Sequence, residues 1–289
     1  MERFEFEAIG THWVIDSNED ISPELFASIR SRVRERIDLF DRAYSRFRAD
    51  SLVSQMARLA GEYELPPDAE PMMDLYHELY GVTGGKFTPL IGQTLSDAGY
   101  DAEYSLREKS VTRASLWEEV LKYSFPKLTL KRPALLDFGA AGKGYLVDIV
   151  SELIHEAGVA SFCVDAGGDM RHESESGTQL EVALENPHDP SIAIGTVTLG
   201  NASLCGSAGN RRAWGNYHHV IDPDSVTSPR HIAALWVRAS TTLLADAMTT
   251  ALYFVSPDML RARYTFEYLI LYSDNSIEQS EGFGAELFT

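Results

Sequence analysis

Six residues, Gly139-Ala140-Ala141-Gly142-Lys143-Gly144, constrain this chain more than any other stretch. They follow a short apolar run, Leu135–Phe138, and precede a helical pattern that carries Leu146, Ile149, Val150, Leu153 and Ile154 on one face. Gly158 stands where a helix C′ residue belongs. The order predicts a strand, a tight glycine turn and an amphipathic helix. Glycines there let backbone N–H groups approach a phosphate, and a helix N-terminus adds partial positive charge. The spacing is not that of a Walker A loop, because only two residues separate Gly139 from Gly142-Lys143 and no Ser or Thr follows the lysine. Nor is it G-x-G-x-x-G. By itself the segment reads either as a phosphate cradle or as a tight turn.

The remaining helix and strand signals are interspersed without βαβ regularity. Residues 3–16 alternate as a strand with a turn at Gly10-Thr11. Ser22-Pro23-Glu24 offers a capping hydroxyl, a proline at the first helical position and an acid in the first turn. Leu25, Ile29, Val33 and Ile37, joined by Phe26, Phe40 and Tyr44, then predict an amphipathic helix of about five turns. A weaker helix covers Pro71–Val82 and ends at Thr83-Gly84-Gly85. Strand-like runs fall within 111–131 and at Val159–Asp165, 179–185, 195–205, 231–239 and Tyr264–Tyr272. Thr241–Phe254 reads as a helix, and Ser256-Pro257-Asp258 starts another. With 289 residues, no repeat and no linker, the expectation is one domain, 1–289, of α+β class.

Charge narrows the partners. With 25 Lys+Arg against 43 Asp+Glu the formal net charge is −18, which opposes gripping nucleic acid or an anionic membrane with the general surface. An anionic small molecule would need a local device: a helix N-terminus, a glycine loop or a metal ion. Two cysteines, Cys163 and Cys205, make neither a disulfide framework nor a four-ligand zinc site and read as buried free thiols. No apolar run approaches the roughly 20 residues that span a bilayer. The start, MERFEFEAIGTHWVID, has no signal-like apolar region and no lipobox cysteine, so the expected location is cytoplasmic.

Several residues could carry chemistry. Asp246 and Thr250 are spaced i,i+4 on an otherwise apolar helix, which places two hard oxygen ligands on one face. They suit Mg²⁺ completed by water and substrate phosphate; alternatively Asp246 caps its helix and Thr250 bonds back to a helix carbonyl. Gly167-Gly168-Asp169 follows a strand and marks a turn or a functional loop. His218-His219 precedes Val220-Ile221-Asp222-Pro223; neighbours on a strand point to opposite sides, so one of the pair can face a cleft while the two do not share a metal. The chain has no HExxH, Cys-x-x-Cys or G-x-S-x-G, which leaves little basis for zinc or serine-hydrolase chemistry.

Taken in order, these segments resemble the ApbE family, the FAD:protein FMN transferases, earlier described as thiamine biosynthesis lipoproteins. Ile9-Gly10-Thr11 is similar to the family's Met-Gly-Thr, and Tyr44-Ser45-Arg46-Phe47 with Ser51-Leu52 to its "S-x-Y…S-E-L". Gly85-Lys86-Phe87-Thr88-Pro89-Leu90-Ile91-Gly92 resembles "G-x-F-D-P-x-x-G", and Asp137 to Tyr145 with Val147-Asp148 resembles "D-L-G-G-I-A-K-G-Y-A-V-D". Gly167-Gly168-Asp169 is like "G-G-D-I", His219-Val220-Ile221-Asp222-Pro223 like "H-I-I-D-P", and Ala245-Asp246-Ala247 with Thr250 like "A-D-A-x-x-T".

The resemblance implies duplicated T-fold-like halves with sheets and flanking helices, FAD as substrate, and Mg²⁺ between pyrophosphate and protein. Ala140, Asp246 and Thr250 would form the metal shell. Ile9, Phe47, Lys86, Phe87, Thr88, Asp137, Lys143 and Ile221 would contact the flavin nucleotide. The implied reaction moves FMN from FAD to a Thr or Ser hydroxyl of an acceptor protein and expels AMP. His219 is the candidate base, since a near-neutral imidazole can take the hydroxyl proton. Departures from the pattern are Gly206-Ser207-Ala208 for Thr-Ser-Gly, Thr88 for Asp, Ile9 for Met, and Asp224-Ser225-Val226 after Asp222-Pro223. They keep two alternatives open: hydrolysis of FAD to FMN and AMP, and FAD binding without turnover.

Overall fold

In the computed structural model, which describes residues 2–210 and 212–288, one eight-stranded sheet carries the fold, and every pairing in it is antiparallel. Its strands lie side by side in chain order: Glu2–Ala8, Thr11–Ser17, Phe162–Ala166, Asp169–Glu173, Ala202–Ala208, Ile232–Ala239, Phe266–Tyr272 and Ile277–Gln279. The first four strands enclose the helices Pro23–Tyr44 and Gly142–Glu156, and the last four enclose Thr242–Ala251 and Pro257–Arg261. The order strand-strand-helix-helix-strand-strand thus occurs twice. The halves join where Asp169–Glu173 pairs with Ala202–Ala208. This is the expected α+β architecture.

Two excursions leave this frame. Residues 45–141 carry helix Glu70–Val82 and a small sheet of Gly61–Glu64, Leu121–Ser124 and Lys127–Leu130. Residues 174–201 carry the hairpin Leu180–Asn186 and Asp189–Leu199, extended by Ala285–Leu287.

Local chemistry explains the helices that matter for the site. Ser22 Oγ accepts the Leu25 N–H at 3.1 Å, and helix Pro23–Tyr44 buries Phe26, Ile29, Val33, Ile37, Phe40 and Tyr44 along one stripe. Helix Gly142–Glu156 ends in a Schellman motif. Gly158, at φ +88°, donates to His155 O at 2.9 Å, and Val159 donates to Ile154 O at 3.3 Å. Its start lies against helix Thr242–Ala251 so closely that a Cβ on Gly144 would stand 2.3 Å from Thr242 O and 2.5 Å from Asp246 Cβ. Asp148 locks the contact, accepting the N–H groups of Thr242 and Leu243 at 2.8 and 2.7 Å. Both cysteines are free; Cys205 is buried and Cys163 half-buried.

Three expectations need correction. Residues 135–138 form no strand; here the backbone bonds to helix ends and turns, Ala134 N–H to Met56 O at 3.1 Å and Asp137 N–H to Pro89 O at 2.8 Å. Gly92 permits this path, since a Cβ there would meet Leu135 O at 2.4 Å. Leu136 and Phe138 are therefore buried without a ladder partner. The run 195–205 is two strands broken at Gly200-Asn201. Within 111–131, Trp117–Val120 is a helical turn that buries Trp117 and Val120.

Candidate active site

A cavity of about 390 Å³ opens between the glycine turn, the Ile9-Gly10 hairpin turn, the end of the long N-terminal helix and the start of the second half. Ile9, Phe47, Lys86, Phe87, Thr88, Asp137, Ala140, Lys143, His219, Ile221 and Thr250 all line it. Asp246 sits behind this surface with 7% of its area exposed, its Oδ2 accepting the Gly144 N–H at 2.8 Å. Within the group the roles differ. Phe87 is buried against Tyr76, with ring centroids 4.8 Å apart. The Thr88 hydroxyl accepts the Leu90 N–H at 3.2 Å. Ile221 packs in a small cluster with Leu95, Ala98, Tyr100 and Trp214.

The floor of the cavity is charged. Lys143 follows the first residue of helix Gly142–Glu156, whose N-terminus has no side-chain cap. Its ammonium pairs with the buried Asp169 carboxylate and donates to Ala166 O at 3.2 Å. Burial lowers the Lys143 pKa, but Asp169 and Asp246 outweigh it and hold the group above its ordinary value. Burial, reinforced by Asp169, raises the Asp246 carboxyl above the usual carboxylate range, while Lys143 and the Gly144 N–H pull it back. Among the described residues no three His, Cys, Asp or Glu side chains are grouped to hold a metal. A cation here would rest on one carboxylate and neutral oxygens. Asp246, the Thr250 hydroxyl one turn along, and the Ala140 carbonyl are hard donors of that kind, and the carboxylate has an energetic reason to accept a positive neighbour.

Arg46, which also lines the cavity, is buried. It pairs with Asp137, donates from Nη1 to Tyr100 O at 2.7 Å, and lies 4.2 Å from the Phe47 ring centroid and 4.8 Å from that of Tyr100. Its Nη2 is buried without a partner, a donor suited to an incoming anion. Asp137 Oδ1 accepts the Gly139 N–H at 2.7 Å, which ties this arginine to the glycine turn. Lys86 pairs with Asp222.

His219 faces this arrangement with Nε2 3.3 Å from Ser207 Oγ and Nδ1 buried without a partner. Burial, then His218, Arg212 and Lys143, push its pKa down to about 3, so the ring is a neutral imidazole. Adjacent His218 instead bonds Pro229 O through Nε2 at 2.7 Å; the strand Tyr217–His218 ends before His219, and the two rings lie 5.7 Å apart rather than on opposite sides of a strand.

Sequence reasoning passed over Arg46, Arg212, Tyr100 and Tyr104 as site residues, although all line the cavity. Arg46 adjoins Phe47 in a segment quoted only for its aromatic. The two tyrosines, in Gly99-Tyr100-Asp101-Ala102-Glu103-Tyr104, carry no charge pattern to mark them.

Known proteins share this fold and much of this sequence order. The FAD:protein FMN transferase of Klebsiella pneumoniae (strain 342) is 24% identical over 309 residues, covering 96% of this chain and 84% of the relative. That of Escherichia coli (strain K12) is 24% identical over 302 residues, covering 93% and 82%. Among solved structures, the ApbE protein of Thermotoga maritima superposes with a TM-score of 0.84 at 20% identity, covering 98% of this chain and 97% of that one. The flavin transferase ApbE of Vibrio cholerae gives 0.81 at 17% identity, covering 98% and 97%. The model of the ApbE family matches residues 9–267. This chain belongs to the ApbE family.

Proposed function

We propose that the chain is an FAD:protein FMN transferase that moves FMN from FAD to a Thr or Ser hydroxyl of an acceptor protein and releases AMP. The observation that carries this reading is one cavity joining the uncapped helix start at Gly142-Lys143, the unpartnered Arg46 donor and an aromatic wall. That combination suits a dinucleotide, with a pyrophosphate over the floor and flat rings along the wall. The named relatives carry the same activity in their names.

Asp246, Thr250 and Ala140 would hold Mg²⁺, which supplies charge neutralisation at the pyrophosphate. This chain's own residues do the rest. Lys143, held in place by Asp169, would face phosphate oxygens as a fixed positive charge, and Arg46, tied by Asp137 to the glycine turn, would add a second. The acceptor oxygen attacks the FMN-side phosphorus, the bond to the AMP phosphate breaks, and the acceptor proton must leave. His219, a neutral ring on the cavity lining, would take it, and a bound phosphate anion would raise its depressed pKa toward the ordinary range.

Incubation with FAD, Mg²⁺ and a flavinylation-site domain should add one FMN mass to the acceptor and release AMP, and EDTA should stop both. AMP release without any acceptor would favour hydrolysis. Intact FAD with every acceptor and with Mg²⁺ present would leave a binding protein only.

A further inference from the structure

At the cavity mouth Phe47 has an aromatic partner that the site described above leaves unused. Tyr104 stacks on it with ring planes 11° apart and centroids 5.2 Å apart, an offset arrangement of two nearly parallel faces. Tyr100 meets both rings edge-on at 5.5 Å. Tyr104 is half exposed, at 50%. Its hydroxyl reaches across the opening to the hairpin turn, 3.5 Å from where a Gly10 Cβ would stand. A ring that packs on a cavity-lining aromatic, spans the mouth and faces solvent is placed to act on whatever enters.

The strap that presents it is braced at its base. Asp101 accepts the Ser105 N–H at 2.9 Å, the Ser105 hydroxyl at 2.7 Å and the Lys109 ammonium at 3.2 Å. Leu106 N–H returns to Gly99 O at 2.8 Å, and a Cβ on Gly99 would meet Arg107 N at 2.6 Å. Tyr104 and Leu106 are thereby held at φ +50° and +51°, a left-handed conformation uncommon for bulky side chains. At the tip, the Tyr104 hydroxyl makes no side-chain hydrogen bond among the described residues. The strap backbone is pinned up to Tyr104, whose N–H donates to Asp101 O at 3.0 Å, whereas the Tyr104 side chain is held over the cavity by ring contact.

We propose that Phe47 and Tyr104 form a clamp for one flat heteroaromatic ring of the dinucleotide: the strap tip opens, the ring enters against Phe47, and Tyr104 closes over its outer face. This deepens the transferase reading and rests on it. The clamp recognises a π face, so Tyr104 acts through its ring and not through its hydroxyl. It contributes binding that is equal in ground and transition states, which moves KM and leaves kcat alone.

The test uses the full chain with Tyr104→Leu, which keeps apolar bulk, Tyr104→Phe, which keeps the ring, and Glu103→Ala, an exposed neighbour on the strap. FAD affinity is read by flavin fluorescence and turnover by AMP release; FMN and AMP are titrated separately. Tyr104→Leu should raise Kd and KM for FAD roughly ten-fold with kcat within about two-fold. Tyr104→Phe should restore what Tyr104→Leu loses, and Glu103→Ala should match the wild type. Whichever of FMN and AMP binds more weakly to Tyr104→Leu identifies the clamped ring. The clamp is overturned if Tyr104→Leu binds FAD, FMN and AMP like the wild type, or if Tyr104→Phe binds no better than Tyr104→Leu; wild-type turnover of FAD would then leave the transferase reading intact. A wild-type chain that binds none of the three ligands overturns both.

Discussion

Where helices Gly142–Glu156 and Thr242–Ala251 meet, the cavity floor is close-packed, with Lys143, Asp169 and Asp246 held together beneath the glycine turn. Its rim, the Ile9-Gly10 turn and the strap bearing Tyr104, is half exposed and made of left-handed backbone and stacked rings. The floor supplies charge at fixed positions and has little freedom to adjust. The rim supplies surface and can move. A substitution on the floor should therefore strike turnover or stability, and one on the rim should strike ligand affinity.

The largest effect should come from Asp246→Asn. The amide oxygen can still accept the Gly144 N–H, so the fold is kept, but the charge that would hold Mg²⁺ is gone. AMP release at saturating FAD should fall by about two to four orders of magnitude, with a melting temperature within a few degrees of the wild type. Full activity in that variant would place the metal elsewhere and make Asp246 a structural acceptor.

Next is Gly144→Ala, which introduces a Cβ 2.3 Å from a backbone oxygen of the other helix. The helices must separate, at about 1–3 kcal/mol, seen as a lower denaturation midpoint together with weaker FAD binding. An unchanged midpoint would mean that the floor is less rigid than its packing indicates.

A smaller effect is set by pH. His219 has a folded pKa of about 3 against an unfolded value near 6.5. The unfolded chain gains a proton first as pH falls, so the stability contributed by the neutral ring is complete above about pH 7 and is lost on the way down. Between pH 7 and 5 the wild type should lose up to about 2 kcal/mol more than His219→Gln. The raised carboxyl of Asp246 acts with the opposite sign in both proteins and cancels in the difference. Equal pH slopes would show that the ring is not desolvated.

Smallest is a rim change, Ile9→Asn. Ile9 sits at φ +46°, which asparagine tolerates better than a β-branched residue. Relief of the backbone and loss of apolar contact offset each other, leaving stability within about 1 kcal/mol. FAD affinity should change more than the midpoint does. A large loss of stability would put this turn with the floor.

The same division decides what the sequence reveals. The long helix was legible because Phe26, Ile29, Val33 and Ile37 repeat at the helical period and Ser22-Pro23 caps it. Gly158 and the helix that carries Asp246 and Thr250 were legible for similar reasons: each follows a local rule met within a few turns. Residues 135–138 were misread as a strand because four apolar-looking positions say nothing of where the backbone finds partners, and here Gly92 admits them to a loop path. The Lys143–Asp169 pair and the Tyr104–Phe47 stack join residues 26 and 57 positions apart (169 − 143 and 104 − 47). No periodicity encodes such meetings; the first exists only once the first half has closed its helix onto its strands, and the second only once the first excursion has folded back on itself.

Lys143 and Asp169 belong to the first half of the duplicated sheet, Asp246 and Thr250 to the second. Neither half owns a finished pocket, and Gly144 is one of the points at which they touch. The pocket therefore behaves as a strain gauge across a seam. Small slippage between the halves, far short of unfolding, would register first as lost turnover, and a ligand spanning the seam would clamp the halves together as it binds.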